Sequence, residues 1–152
     1  MNAAEKLIVN TLHARFEDYP FVNLAPGIEI KLVHARLSQN LTVIQMRVQP
    51  FAKTGLHRHL APQYGLTTMG AWGHDPHEFL YRPNSYICEP VGEIHRFHNG
   101  PDVSEAYFIR TGETESFDDK GQLTGRQNAE GFLKIYLERC EAAGLRRPSI
   151  LS

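Results

Sequence analysis

The sequence predicts an all-β protein, a sandwich or barrel of many short strands, with one short helix near each end. Two observations predict it. Between residues 28 and 110, apolar and β-branched runs of six to eight residues recur, each closed by Gly, Pro, Asn or Asp residues that turn the chain. Outside that span, apolar residues fall at helical rather than alternating spacing.

The elements follow in order. Residues 3–16, "AAEKLIVNTLHARF", space Leu7, Ile8, Leu12 and Phe16 for one face of a short helix. Breaks follow at Pro20 and at Pro26-Gly27. The strand-like runs are "IEIKLVHA", "LTVIQMRV", "LTTMGAWG", "HEFLYR", "SYICEP", "IHRFHN" and "SEAYFIR". Between them stand "LSQN", "PFAKTG", "GHDP", "RPN", "PVGE" and "NGPD", and "DDKG" at 118–121 adds one more turn. In "NAEGFLKIYLERCEAAG", Phe132, Leu133, Tyr136, Leu137 and Cys140 form one apolar stripe of a helix expected to pack outside the barrel. Asn128 can cap that helix and Gly144 can end it. No repeat or linker divides the chain, so residues 1–152 read as a single domain.

Composition excludes several function classes. Charged residues make up 22% of the chain and the formal net charge is −1, with no basic stripe for nucleic acid. No apolar run is long enough to span a bilayer, and "MNAAEKLIVN" is no secretory leader, which predicts a cytoplasmic protein. Cys88 and Cys140 make neither a disulfide framework nor a CxxC pair, and both are expected to be buried as small hydrophobes.

Three of the eight histidines fall into a pattern. In "GLHRHLAPQYG", residues 55–65, His57 and His59 stand at i and i+2. On a strand such residues share one face, and Arg58 between them faces the other way. In "PVGEIHRFHN", residues 90–99, His95 follows a Pro-x-Gly turn. A barrel can bring the two histidine-bearing strands side by side, so that His57, His59 and His95 converge. Three neutral imidazoles on a rigid sheet suit a divalent first-row metal with open coordination positions. His98 has the opposite parity to His95 and is expected on the other face. His74 and His77 lie in "GHDPHE", a turn, and are expected to be solvated. His13 and His34 belong to no constellation. Trp72, Tyr64, Tyr86, Phe97 and Met69 are expected to line the barrel or fill its core. No residue stands out as a general base.

These stretches resemble the two motifs of the cupins. The first matches as His57-x-His59-x3-Gln63-x6-Gly70, with Phe51 where a glycine is usual and Gln63 where an acidic ligand is usual. The second matches as Asn84-x5-Pro90-x-Gly92-x2-His95-x3-Asn99, with Asn84 in place of a glycine. Asn and Gly both tolerate left-handed backbone. The resemblance implies a double-stranded β-helix, or jelly roll, and metal ligation by His57, His59 and His95. More finely, "TGLHRH", "APQYGLTTMGAW" and "EPVGEIHRF" are similar to the 2,4'-dihydroxyacetophenone dioxygenase group, and more loosely to acetylacetone-cleaving dioxygenase. That resemblance covers roughly residues 30–145, the span of one compact domain. It implies carbon–carbon cleavage of a small diketone, hydroxyketone or aryl ketone with O2, on non-haem iron(II). Zinc, nickel or manganese also suit three imidazoles.

Gln63 is the informative departure. With neutral ligands alone, a metal keeps its full charge toward the open positions, which favours a chelating enolate or alkoxide. A place for Gln63 beside the metal is favoured over direct ligation, because imidazole outcompetes an amide oxygen. Other readings stay open. A regulatory cupin of the anti-sigma-factor kind would want an N-terminal zinc-binding segment, and residues 1–30 hold only His13 and no cysteine. A metal-dependent isomerase or lyase would turn over without oxygen. A ligand-binding cupin would turn nothing over. A barrel with open edges often pairs as a homodimer.

Overall fold

The computed structural model describes residues 11–152. The expected helix over residues 3–16 lies mostly outside them, and residues 11–15 carry no regular structure before a single 3-10 turn at Phe16–Asp18. Eleven strands and one α-helix follow. The strands are β1 (Val22–Ala25), β2 (Ile28–Arg36), β3 (Leu41–Val48), β4 (Leu56–His59), β5 (Gln63–Met69) and β6 (Trp72–His74). They continue with β7 (Tyr86–Glu89), β8 (Phe97–Asn99), β9 (Ser104–Thr111), β10 (Thr114–Phe117) and β11 (Leu123–Gln127). Helix α1 spans Ala129–Ala142.

The strands build two facing layers. The first is one antiparallel sheet in the order β1-β2-β3-β9-β5-β7. The second is made of two pieces, β11-β10-β4 and β6-β8. A lone antiparallel bridge joins them, in which His57 N–H donates to His95 O at 3.0 Å and His95 N–H to His57 O at 2.9 Å. The resulting jelly roll is all-β apart from its C-terminal helix.

Alternation of side chains explains the core. Ile28, Ile30 and Leu32 of β2 and Ile44 and Val48 of β3 point inward and are buried with Trp72, Phe97 and Phe108. Trp72 stacks on Phe97 with ring centroids 4.5 Å apart, and its indole N–H donates to Thr67 Oγ1 at 2.9 Å. Helix α1 buries Phe132, Tyr136 and Cys140 against β1 and β2. Asn128 caps it through Gly131 N–H at 2.8 Å, and Gly144, at φ +68°, ends it.

Four expectations change. Residues 77–82 form no strand and contribute one bridge, between Tyr81 and Trp72. Strands β10 and β11 flank the "DDKG" turn, where the sequence carries little apolar alternation. Tyr64 and Tyr86 are exposed on the outer face of β5 and β7, and Met69 is exposed past the bulge near the end of β5; among the described residues no helix covers this face. Cys88, on that same face, is exposed too, whereas Cys140 is buried.

Two left-handed positions explain where the motifs depart from glycine. Asn84 has φ +69° and Phe51 φ +61°. Asparagine accepts that region readily, and a bulky aromatic does so at a cost. At Gly70, φ is +69° and a Cβ would come 2.4 Å from Val103 O, so that motif position needs glycine on both counts.

Candidate metal centre

The site is built on β4 and on the segment leading into β8. Strand β4 places His57 and His59 on its inner face, and Arg58 points out to Glu115. The His57–His95 bridge sets the third imidazole beside the first. Ring centroids lie 5.2 Å apart for His57 and His59, 4.7 Å for His57 and His95, and 5.3 Å for His59 and His95. One ring nitrogen of each comes within 4.8 Å of the others.

The chemistry of these rings suits a cation. Nδ1 of His57 lies 2.9 Å from Gly55 O; donation from Nδ1–H leaves the Nε2 lone pair free. His95 Nε2 is buried and has no hydrogen-bond partner among the described residues. Burial pushes the His57 imidazole down to about 4 and the His95 imidazole down to about 3, with His59 adding to the effect at His57 and His57, His74 and His59 adding to it at His95. Both rings are therefore neutral at physiological pH, the form that ligates. A divalent ion fits this donor set.

Two further residues reach the site: His74, expected in a solvated turn, and Glu89, which the sequence pattern did not single out. His74 is not a solvated turn residue. It ends β6 on the same inner face as Trp72, and its ring stacks on His95 at 4.3 Å between centroids. Glu89 ends β7 on the same face as Ile87 and is buried. One of its carboxylate oxygens lies 3.2 Å from His59 Nε2 and the other 2.7 Å from His74 Nε2. Burial alone raises the Glu89 carboxyl, but His59 and His74 outweigh it and hold the group ionised, below the usual carboxylate range. Together His74, Glu89 and His95 form a second group whose donor atoms lie within 4.8 Å of one another.

Glu89 revises the argument drawn from Gln63. Gln63 faces the cavity and its side-chain amide donates to the Glu89 carboxylate. The acidic group absent from β5 is thus supplied from the adjacent strand β7, where Glu89 is the cross-strand partner of Gln63. The cluster is not built of neutral donors alone. The signal was present in the sequence: Ile87 and Glu89, like Trp72 and His74, are two residues apart and share a face.

His98 turns away from the cluster. Its Nδ1 pairs with the Asp75 carboxylate, and Lys53 Nζ lies 3.3 Å from the other oxygen of Asp75. Asn99, the last motif position, is structural: its Nδ2 lies within 3.0 Å of the Val48, Gln49 and Asp102 carbonyls.

His57 and His59 form part of the wall of a cavity of about 440 Å³. Leu24, Ile28, Ile30, Ile44, Met46 and Phe108 make its apolar side, and His57, His59, Gln63, Glu89, Arg110 and Thr114 make its polar side. An apolar chamber with a few convergent polar groups is the usual form of a small-molecule site.

This combination of jelly roll and clustered histidines is that of a cupin. Residues 9–115 match the family described as "ChrR Cupin-like domain", and the chain belongs to that family. Among curated proteins none matches the chain. Among solved structures, an RmlC-like cupin protein from Ralstonia eutropha JMP134 is similar at a TM-score of 0.84 and 20% identity, over 94% of this chain and 95% of that one. An acetylacetone dioxygenase from Acinetobacter johnsonii is similar at 0.74 and 18%, over 86% and 92%. The Rhodobacter sphaeroides SigE complex with the anti-sigma ChrR is similar at 0.52 and 12%, over 63% and 50%. These likenesses concern the fold.

Proposed function

We propose that the protein is a metal-dependent dioxygenase that cleaves a carbon–carbon bond in a small diketone, hydroxyketone or aryl ketone. In this reading His57, His59 and His95 hold iron(II). The observation that carries the proposal is the convergence of three imidazoles, His57 and His95 kept neutral by burial, at a cavity that His57 and His59 line opposite an aliphatic face. The metal, when bound, supplies Lewis-acid activation of a chelating ketone and a place for O2.

The remaining steps belong to side chains. The apolar wall excludes water and receives the carbon skeleton of the substrate. Glu89, ionised and facing the chamber, accepts the proton that a diketone or hydroxyketone loses on becoming an enolate or alkoxide. Gln63 holds that carboxylate in place through its amide, and His74 Nε2 lies 2.7 Å from its other oxygen. The dioxygenase fold neighbour supports the reading by its size and by the share of both chains it covers.

The family match and the anti-sigma neighbour favour a second reading, a regulatory cupin that senses a metal or a ligand without turnover. One experiment separates the two. The protein is reconstituted anaerobically with iron(II), and O2 uptake is followed with a panel of β-diketones and α-hydroxyketones. Substrate-dependent uptake that is absent from the His57→Ala variant and from the zinc-loaded form supports the dioxygenase. Tight metal retention with no uptake across the panel supports the sensor.

A further inference from the structure

Arg110 is a half-buried cation beside the histidine cluster, with no carboxylate at ion-pair distance among the described residues. It ends the inward register of β9 that begins with Ser104, Ala106 and Phe108, and it lines the same chamber as His57 and His59. Across β5 its partner is Gln63. Its Nη2 donates to Thr114 Oγ1 at 2.8 Å, and Thr114 is the cross-strand partner of His59. The guanidinium also lies over the Phe132 ring of α1, 4.6 Å from its centroid. Its position is fixed by a hydroxyl on one side and an aromatic face on the other.

The carboxylates around it are engaged elsewhere. Glu89 is taken by His59, His74 and Gln63. Glu115 points to the other face of β10, toward Arg58 and Arg126. Among the described residues no carboxylate lies within ion-pair distance of Arg110, and Thr114 is the one acceptor its five N–H groups find. Burial lowers its pKa to about 10, which leaves it charged at physiological pH. A half-buried cation that lines a chamber without a carboxylate partner keeps N–H groups available to a ligand there. A planar guanidinium fork matches a carboxylate in two parallel hydrogen bonds.

We propose that Arg110 is a carboxylate-binding residue and that the ketone taken by this cavity is an oxo acid, with its carboxylate on Arg110 and its ketone oxygens toward the histidines. The substrate class rests on the dioxygenase reading; the anion site does not.

The test compares two probes that differ by one carboxylate, 2,4-dioxopentanoate and pentane-2,4-dione. Their dissociation constants are measured by calorimetry on the full chain, with and without one equivalent of zinc, so that no turnover intervenes. The wild type is expected to bind the oxo acid at least about tenfold more tightly than the dione. Arg110→Met should abolish that preference, so that the two probes bind with equal affinity. Arg110→Gln serves if the methionine variant misfolds, and Thr114→Val should weaken the preference several-fold. A wild type that fails to favour the oxo acid, or a variant that still favours it, overturns the proposal. If the preference holds while iron-loaded protein consumes no O2 with either probe, the anion site stands and the dioxygenase reading falls.

Discussion

The two sheets of this molecule carry the same kind of strand to different ends. The six-stranded sheet is continuous, and β2, β3 and β9 pair along eight residues or more. The facing sheet is assembled from strands of three to five residues, and its two pieces meet at one bridge. Its inner face presents His57, His59, His74, Thr114 and Ser116, where the continuous sheet presents mostly Ile, Leu, Val and Phe. The contrast teaches a division of labour. Burial of aliphatic side chains holds the fold, which frees the second sheet to spend its inward positions on ligating groups that pack and desolvate poorly.

The comparison can be broken from either side. The largest effect is expected from His59→Ala, which should cut divalent-metal affinity by at least about a hundredfold while the far-ultraviolet dichroism of the β-fold persists. Metal content after dialysis, with the spectrum, reads both. Loss of the fold along with the metal would show that the histidine sheet is needed for folding. On the other sheet, Leu32→Ala is expected to cost about 3 kcal/mol in urea unfolding, because Leu32 is fully buried, with metal stoichiometry unchanged. A Leu32 variant that loses metal at equal stability would mean that the two sheets are coupled more tightly than their separate chemistry implies.

Smaller changes sharpen the contrast. Glu89→Gln keeps the shape of the side chain and removes its charge. It should weaken metal binding about tenfold in a competition titration against a chromophoric chelator. An unchanged affinity would confine Glu89 to proton transfer. Smallest of all, Phe51→Gly should stabilise the protein by about 0.5 kcal/mol, because the left-handed strain of Phe51 exceeds the added freedom of glycine in the unfolded chain. A thermal scan that shows destabilisation would mean that the exposed Phe51 ring makes contacts worth more than the strain.

What was legible in the sequence follows the same line. Strands β2, β3 and β9 and helix α1 were readable because each buries a periodic apolar face, and periodicity is what a sequence displays. The His57, His59 and His95 grouping was readable from motif spacing. Strands β10 and β11 were not, since each has one large apolar residue, Phe117 and Leu123, and no apolar alternation to mark it. His74 was misplaced because its neighbours Asp75, Pro76 and His77 read as a turn, although the strand ends only at His74 itself. Glu89 and Arg110 were overlooked for a different reason. Each is a charged residue on an inward register, where period-2 counting finds it only if one asks which polar residues break an apolar face.

The outer trio of Arg58, Glu115 and Arg126 has a consequence of its own. On the far side of β4, Arg58 Nε meets Glu115 at 2.5 Å, and Arg126 Nε meets the other oxygen of Glu115 at 2.8 Å, so one acid links three adjacent strands. In a strand, sliding by one residue exchanges its two faces. If β4 slid so, both imidazoles would turn to solvent and Arg58 would enter the chamber, and the slide would part the buried Glu115 carboxylate from Arg58. The outer side of the sheet therefore works as a key: its charges accept one alignment of the histidine strand and reject the neighbouring ones.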